Sequence, residues 1–193
     1  MANDTQNVVA GKPLATGGVL RGPLGTALPT DVTTAPGAAF KALGYVSEDG
    51  LTETVERSTD KIRAWGGDVV KVVQTEYGVS YSFTLIEATR EDVLKAVYGE
   101  GNVTTTPATS SAGALSTVVL NAEALEHAAW IFEIKDGDAR IRIVVPDGQV
   151  TEIGEVTYAD GEAVGYEVTV EAFRNEAING QAIKYITNGV TAP

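Results

Sequence analysis

The sequence contains no cysteine. Disulfide bonds and thiolate metal sites are therefore excluded, and the absence is compatible with a reducing cytosol. The single histidine, His127, cannot by itself build a zinc site of the usual kind, although an imidazole together with Glu123 and Glu126 could bind a metal. A solvated turn before the next strand is the simpler interpretation. We predict no metal site and no cofactor.

Basic residues are scarce. Lysine and arginine number 14 against 26 aspartates and glutamates, which gives a net charge of −12. A surface that binds nucleic-acid phosphates needs clustered Lys and Arg, so specific nucleic-acid binding is not expected. The charge does not argue against a surface past which DNA slides without sticking, but solubility alone is the simpler interpretation.

Long apolar runs are missing as well. No stretch approaches the roughly 20 residues that a membrane span requires, and the N-terminus has no apolar segment of signal-peptide length. We expect a soluble protein without an export signal. Hydrophobic residues nevertheless make up 44% of the 193 residues, enough for one domain with a sizeable core.

No catalytic motif is present. The sequence lacks a nucleophile elbow, a phosphate-binding loop and a dinucleotide fingerprint. Its Asp-Gly pairs lack the ligand spacing of a calcium loop and fall where hairpins need turns. Two carboxylates suited to glycoside hydrolysis could meet in the fold, but nothing singles out a pair. We predict that the protein is not an enzyme.

What the sequence does contain begins with 40 residues rich in Gly and Pro, which exclude a regular helix. They also carry more apolar side chains than a disordered tail needs, namely Val8, Val9, Leu14, Val19, Leu20, Leu24, Leu28 and Phe40. We predict an extended N-terminal arm over 1–40, packed on its own domain or on a neighbour, and a single β-domain over 41–193. A floppy tail is the alternative.

A polar segment follows a short strand predicted at 42–46. From Ser47 to Asp68 the residues alternate with only a weak apolar face, and a hairpin of this kind is marginal alone. We therefore predict a projecting β-loop over 47–68 that packs on another subunit. Trp65 stands beside two glycines, where it either packs under a turn or anchors an interface.

The next segment combines a hairpin and a helix. A β-branched strand at 69–75, a turn at 76–78 and an alternating strand at 79–85 form the predicted hairpin. The flanking α-helix is predicted at about residues 89–98, with Thr89 as N-cap and Gly99 at its end. It must pack on a sheet through one apolar stripe, formed by Val93, Leu94, Val97 and Tyr98.

The C-terminal half reads as an exposed loop at 101–113 followed by strands. Asp-Gly and Asn-Gly pairs indicate hairpin turns between them. The strands are predicted at 116–120, 130–134, 141–145, 150–158, 165–173 and 182–186, with a turn at 146–148. Many short strands and one helix predict a mainly β fold, a two-sheet β-sandwich or open barrel with one flanking α-helix.

Three segments in this order carry a family resemblance: GYVSEDGLTETVERSTDKIRAWGGD, VSYSFTLIEATREDVLKAVYG and GYEVTVEAF. Through them the chain resembles the major tail tube proteins of long-tailed, non-contractile bacteriophages (siphophages), in particular those of actinobacterial phages. The match covers most of the chain and is best over 44–99 and 150–173. It implies the phage tail tube fold, which is similar to that of contractile-tail and type VI secretion tubes.

The resemblance also implies a structural function. Subunits of that family form hexameric rings that stack into a hollow tube in the virion tail, through which genomic DNA passes into the host. The implied partners are further copies of the chain, a tape measure protein inside the tube, tail tip and tail terminator proteins, and double-stranded DNA in transit without specific binding. No membrane is involved, and assembly takes place in the host cytoplasm.

Mapped onto this sequence, the resemblance assigns two surfaces. The projecting loop makes inter-subunit contacts through Leu51, Glu53, Val55, Arg57 and Trp65, and the arm over 1–40 contacts neighbouring subunits or rings. The second surface is the polar face of the strand at 165–173, which we predict to face the lumen through Glu167, Thr169 and Glu171 because acidic walls repel DNA. Glu152 and Glu155 are further candidates. The alternative is that this face meets bulk solvent outside.

Two other classes of function stay open at this point. A monomeric β-sandwich binding module, of adhesin or carbohydrate-binding type, would show exposed aromatic residues along a groove. An enzyme on the same fold would need a catalytic constellation that the sequence does not show. Oligomeric state separates the tail subunit from both.

Overall fold

The computed structural model describes residues 7–14 and 17–189. The strands are β1 (Val19–Pro23), β2 (Lys41–Ala42), β3 (Val46–Arg63), β4 (Val69–Leu85), β5 (Val103–Thr106), β6 (Leu115–Val118), β7 (Ala128–Asp136), β8 (Ala139–Ile153), β9 (Tyr166–Ala172) and β10 (Ile183–Thr187). The helix α1 spans Glu91–Tyr98, and a short 3-10 turn follows at Glu100–Asn102. Within the described ranges, no helix has the length and apolar character needed to cross a bilayer.

Most of the strands form one antiparallel sheet, in the order β2-β1-β7-β8-β9-β4-β3. The long strand β8 pairs with β10 through its first half and with β9 through its second half. Strands β5 and β6 form a separate two-stranded sheet. The predicted fold class is confirmed: the protein is mainly β, and its described residues form two sheets in an open rather than closed arrangement, with one α-helix.

The main sheet is strongly curled around the core. Tyr81 on β4 and Phe132 on β7 have ring centroids 4.9 Å apart, although β8 and β9 separate their strands. Three strand spacings would hold them about 14 Å apart in a flat sheet. The concave face therefore encloses the apolar side chains of β4, β7, β8 and β9, and α1 covers them through Val93 and Val97.

The helix begins two residues later than predicted. Arg90, with extended backbone angles, occupies the N-cap position and makes no side-chain cap bond, so Thr89 is not the cap. Gly99 ends the helix as predicted, at φ +98°. Val93, Leu94 and Val97 are buried as expected, while Tyr98 is only half-buried and Ala96 is the fourth fully buried position.

Much of the predicted N-terminal arm belongs to the domain itself. Strand β1 pairs with β7, and residues 24–40 cross the outer face of the sheet. There Phe40 and Leu28 pack on Ala129, Ile131 and Val144. For this part of the arm, the alternative of packing on its own domain is the one observed. We call residues 24–40 the strap.

A buried arginine fastens the strap. Arg142 on β8 is 3% exposed and lies opposite Glu133 on β7, which is 5% exposed. Its Nε and Nη2 donate to Glu133 Oε1, both at 2.7 Å, and its Nη1 donates to the carbonyl oxygens of Asp31 at 2.5 Å and Thr34 at 2.7 Å. The Asp31 carboxylate in turn accepts hydrogen bonds from Thr33 and Thr34. A charged pair thus holds a preformed turn on the sheet.

The turn predicted at 76–78 is wrong. Those residues lie inside β4, which pairs with β3 along its whole length. Near the predicted turn the pairing has a bulge at Thr75, between the pairs Ser58↔Glu76 and Thr59↔Gln74. The partner of the β-branched stretch is the polar segment before it, so the hairpin is twice as long as predicted and turns at Ala64–Asp68.

The turn predicted at 146–148 is also wrong, because these residues continue β8. Pro146 lacks a backbone donor, but it sits in a bulge on the β7 side, between the pairs Trp130↔Val145 and Ala128↔Gly148. On the other side it falls in the gap between β10 and β9. No ladder hydrogen bond is lost, which is the condition under which a strand tolerates proline.

Smaller differences concern strand ends. The strand predicted at 42–46 is split into the end of β2 and the start of β3, because Gly44 adopts φ +83° between them. The loop predicted at 101–113 contains β5, and the strand predicted at 150–158 ends at Ile153. The strands predicted at 165–173 and 182–186 are found at 166–172 and 183–187.

Candidate assembly surfaces

The hairpin β3–β4 projects far beyond the sheet. Strand β4 pairs with β9 only from Val79 to Leu85, and Val79↔Ala172 is the last pair. From Val79 to Val69 the hairpin has no further neighbouring strand in the pairing pattern. At about 3.3 Å per residue, this outer part extends about 33 Å. The projecting element is therefore a two-stranded ribbon, from about residue 56 to 77, and not the single segment 47–68.

The outer hairpin exposes apolar side chains on both faces. Pairing places Val72 beside Lys61 on one face, and Ile62 beside Lys71 on the other. The exposed apolar residues of the hairpin are Val55, Ile62, Trp65, Val69, Val70, Val72, Val73 and Tyr77. A two-stranded ribbon without a second layer is marginal in water. This surface is thus unusual for a monomer, because both of its faces lack a cover within the described residues.

Trp65 occupies the tip of the hairpin. Its side chain is fully exposed, at 106% of the reference area. Gly66 and Gly67 follow at φ +111° and +97°, a conformation that favours glycine. Arg63 Nη1 donates to the Gly67 carbonyl at 2.8 Å and so ties the tip together. The indole therefore does not pack under its own turn, which leaves the interface interpretation.

The other predicted contact residues fall into two groups. Val55 is exposed, and the Arg57 guanidinium lies 5.0 Å from the centre of the Tyr77 ring on the same face. Leu51, in contrast, is half-buried against the core. Glu53 accepts a hydrogen bond from Tyr81 Oη at 3.2 Å and pairs with Lys184 Nζ. Inter-subunit roles for all five, Trp65 included, stay predictions.

At the base of the hairpin, a buried tyrosine contacts an ion pair. The side chain of Tyr81 is fully buried, and burial, followed by the negative charge of Glu53, raises the pKa of its phenol. Lys184 on β10 neutralises Glu53 from the other side. The inner hairpin is thus anchored to the domain by a Tyr–Glu–Lys group, while its outer part is free of the domain.

The predicted lumen residues lie together on one polar face of the sheet. Glu167, Thr169 and Glu171 pair with Thr84, Ser82 and Ser80 across β4, and Ser82 Oγ lies 2.9 Å from Thr169 Oγ1. Across β8, Thr169 pairs with Glu152 and Glu171 with Gln149. The sequence has no Lys or Arg from 143 to 173. The result is a continuous hydroxyl and carboxylate surface on the side opposite to the core.

The His127 side chain contacts an aspartate and a phenylalanine. Its Nδ1 lies 2.5 Å from Asp147 Oδ1, and its ring centroid lies 4.7 Å from that of Phe173. Over the described ranges, no group of three His, Cys, Asp or Glu residues is placed to hold a metal ion. The contact instead ties the segment before β7 to the bulged part of β8.

A groove beside α1 has a volume of about 560 Å³. Two of its basic residues form ion pairs: Arg21 bonds to Glu100 at 2.8 Å, and Lys95 Nζ lies 2.7 Å from Glu91 and 3.8 Å from Glu100. The lining contains no tyrosine or tryptophan. It therefore lacks the aromatic platform that a carbohydrate-binding module would need.

The described residues thus present two unusual surfaces, a projecting ribbon with two uncovered apolar faces and an acidic sheet face. The family model described as "Phage tail tube protein" matches residues 1–193. The chain belongs to the phage tail tube protein family, which is a structural family and not an enzyme family. The protein is accordingly a structural subunit of a phage tail and a component of the virion.

Two solved structures are similar to this chain. One is the tube-terminating cap of the anti-feeding prophage, at 8% identity and a TM-score of 0.47, covering 97% of this chain and 100% of that one. The other is the sheath–tube complex of the PVC extracellular contractile injection system in its extended state, at 8% identity and a TM-score of 0.46, covering 96% and 100%. None of the curated proteins compared with this chain matches it significantly.

Proposed function

We propose that the protein is the repeating subunit of the tail tube: it forms hexameric rings, and the rings stack into a hollow tube through which genomic DNA passes. The uncovered outer hairpin is the observation that carries this proposal. Its apolar residues on both faces need two packing surfaces, one on each side. Neighbouring copies in a ring and in a stack supply such surfaces.

The acidic sheet face is the proposed lumen wall. Glu167, Thr169 and Glu171 would then line the channel, joined by Glu152 from β8. Fixed negative charge within a Debye length of about 10 Å repels the DNA backbone, so that DNA moves without being trapped. The lack of lysine and arginine over 143–173 supports this role, because a single exposed cation there would bind phosphate.

The remaining assignments complete the proposal. The tail is that of a siphophage, from an actinobacterial phage, and is assembled in the host cytoplasm. Tape measure, tail tip and tail terminator proteins are the further partners, and DNA is a passenger without specific binding. The part of the predicted arm ahead of β1 contacts neighbouring subunits or rings. Leu51, Glu53, Val55, Arg57 and Trp65 contribute to the contacts of the hairpin.

Deleting the outer hairpin while keeping the pairing register of the remaining strands tests the proposed function. Replacing 58–76 with Asn-Gly joins the pair Arg57↔Tyr77 by a two-residue turn and removes only the outer hairpin. The matched control replaces 107–114 with Asn-Gly and joins the pair Thr106↔Leu115 in the small sheet in the same way. Electron microscopy and light scattering should show rings or tubes for the wild type and the control, and monomers with unchanged unfolding for the hairpin deletion.

Two results would oppose the proposal. Tubes formed by the hairpin deletion would show that the ribbon is not the assembly element. A wild-type protein that stays monomeric even in the presence of its tail-tip initiator would favour a monomeric binding module instead.

A further inference from the structure

Strand β10 is attached to its own domain by few contacts. Within the described residues it pairs with β8 alone, through five residue pairs. None of its five side chains is fully buried, and Ile186 is 67% exposed. Segments with few buried apolar contacts open at the lowest cost in free energy. β10 is therefore a strand that can leave the sheet while the core stays folded.

The connection to β10 is longer than the sheet requires. Ala172, at the end of β9, lies opposite Gly148, and Ile183, at the start of β10, lies opposite Val144. Over this interval β8 advances four residues, whereas the connected chain advances eleven. The seven surplus residues, at about 3.3 Å each when extended, lengthen the reach of β10 by about 23 Å.

A folded turn stores the surplus length. Asn175 and Gly180 exchange backbone hydrogen bonds across it, at 2.9 and 3.3 Å, and Arg174 Nη2 donates to Asn179 Oδ1 at 2.7 Å. Asn179 adopts φ +49°, a left-handed conformation that is less favourable for a residue with a side chain than for glycine. Opening of this turn lengthens the connection and relieves Asn179, and it breaks no pair between named strands.

The position that β10 occupies on β8 is specific for its sequence. Successive side chains of a strand point to opposite faces. Lys184, opposite the core residue Ile143, pairs with Glu53 of β3, while Tyr185 on the other face packs against the apolar cluster beneath the strap. A strand in this position needs a cation followed directly by an aromatic ring. A second copy of β10 supplies both, in the same order.

We infer that β10 is exchanged between neighbouring subunits, so that in the assembled protein it occupies the β8 edge of a second copy. This inference rests on the proposed tube-forming function and names a segment that holds adjacent subunits together. Exchange between identical chains keeps the ladder with β8, the Lys184–Glu53 pair and the Tyr185 contact, so it costs little. In an assembly the neighbouring edge is held at high local concentration, whereas a dilute subunit has only its own edge within reach.

Cross-strand cysteines test the exchange. The chain has no cysteine, so two introduced thiols have only each other as partners. Thr187 on β10 lies directly opposite Arg140 on β8, and residues paired in this way have Cα atoms about 4.5–5.5 Å apart, a distance that a disulfide bridges. Arg140→Cys/Thr187→Cys is oxidised, denatured and run on a gel without reductant. The disulfide should be intrachain in dilute subunits, and after assembly it should link two or more chains with loss of most of the monomer band.

Mixing two single-cysteine proteins gives an independent readout. Arg140→Cys in one protein and Thr187→Cys in the other are assembled together and oxidised. Mass spectrometry should then find the disulfide between positions 140 and 187, because these positions meet in different chains only through exchange. The same two proteins mixed as dilute subunits should not form it.

Two matched controls isolate the role of the connection. Thr104→Cys/Thr117→Cys joins opposite residues of β5 and β6 and should stay intrachain in every state. Deletion of 176–182 removes the seven surplus residues, so in that background the disulfide between 140 and 187 should stay intrachain after assembly as well. Urea unfolding of each variant shows whether its domain is intact.

The outcomes separate this inference from the proposed function. Tubes in which the disulfide between 140 and 187 is only intrachain would overturn the exchange and leave a tube-forming protein. Interchain linkage that is as frequent in the β5–β6 control would also overturn it, because the crosslinks would then not report exchange of β10. A wild type that forms neither rings nor tubes, even with a tail-tip initiator, would overturn both.

Discussion

Replacing Arg142 with methionine is expected to detach the strap from the sheet. The guanidinium links Glu133 to the carbonyl groups of Asp31 and Thr34, and methionine keeps much of the apolar stem of the arginine. Glu133 would then stand buried opposite an apolar side chain. The Asp31–Thr34 turn would lose both of its bonds to the sheet.

The magnitude follows from the burial of the pair. Removing one partner of a buried ion pair costs about 3–5 kcal/mol, because the remaining charge has no compensation. The two freed carbonyl groups add little, since they turn to water once the strap lifts. We expect a loss of about 4 kcal/mol in the free energy of unfolding. For a chain of this length, that is a fall of roughly 10 °C in the melting temperature.

Urea and thermal unfolding measure the loss, and limited proteolysis between residues 24 and 40 measures the release of the strap. The double variant Arg142→Met/Glu133→Leu removes both charges and should recover at least about half of the lost stability, while the strap stays open to protease. A loss below about 1 kcal/mol in the single variant would refute the reasoning. So would a double variant no more stable than the single one, because the buried charge would then not be the cause.

Three further perturbations test other parts of the fold. Gly44→Ala should cost about 2 kcal/mol or more in urea unfolding, because a Cβ at φ +83° would displace the Glu87 carboxylate and so break its hydrogen bond from Tyr45 N. Gly25→Ala, at φ +81° in open space, should cost only about 1 kcal/mol, and equal costs would contradict this account. Hydrogen bonds from Thr34, then Thr33, hold the pKa of Asp31 well below its ordinary value of 3.8. The contribution of Asp31 to stability is therefore present above that value and is lost as pH falls through the lowered pKa. Asp31→Asn should flatten the acid limb of a stability–pH profile, and an unchanged limb would contradict this role of Asp31. Burial and the negative charge of Glu53 raise the pKa of Tyr81. The contribution of Tyr81 to stability is therefore present below the ordinary tyrosine value near 10 and is lost as pH rises through the raised pKa. Tyr81→Phe should flatten the alkaline limb of the stability–pH profile, and a limb as steep as in the wild type would exclude this role.

The sequence predicted the strands that have one clear apolar face. The alternation Val79, Tyr81, Phe83, Leu85 and its counterpart over 166–172 are buried on one side and polar on the other, as the period of two requires. Where both faces are exposed, the period carries no such information. The outer half of β4 is rich in β-branched residues and its partner strand is polar, so the sequence pattern predicts a turn at 76–78 where the strand in fact continues.

Long-range partners were the features that sequence reasoning missed. Arg142 stands in Ile-Arg-Ile-Val-Val and Glu133 in Trp-Ile-Phe-Glu-Ile, two opposite charges inside apolar strands that pair with each other. That pattern was the available signal for a buried ion pair. Which loop the arginine would also bind was not readable, because Asp31 and Thr34 are more than 100 residues away in the chain.

The sequence predicted which residues share an assembly surface, but not what that surface contacts. Sequence alternation grouped Glu167, Thr169 and Glu171 on one polar face, and the pairing with β4 and β8 shows how far that face extends. What the face meets depends on other copies of the chain. No pattern within one strand encodes that, so the lumen assignment stays a prediction.

The absence of a turn at 76–78 has a mechanical consequence. Because β4 runs unbroken from the hairpin into the core, a pull on Trp65 along the strand travels through one backbone to the pairs with β9. Antiparallel ladder bonds lie perpendicular to the strands, so such a load shears many bonds at once instead of peeling them one by one. Two bulges on β4 interrupt the pairing along this path, at Val70 and at Thr75, and a strand bends most readily at a bulge. A tail under tension would flex there before the domain yielded.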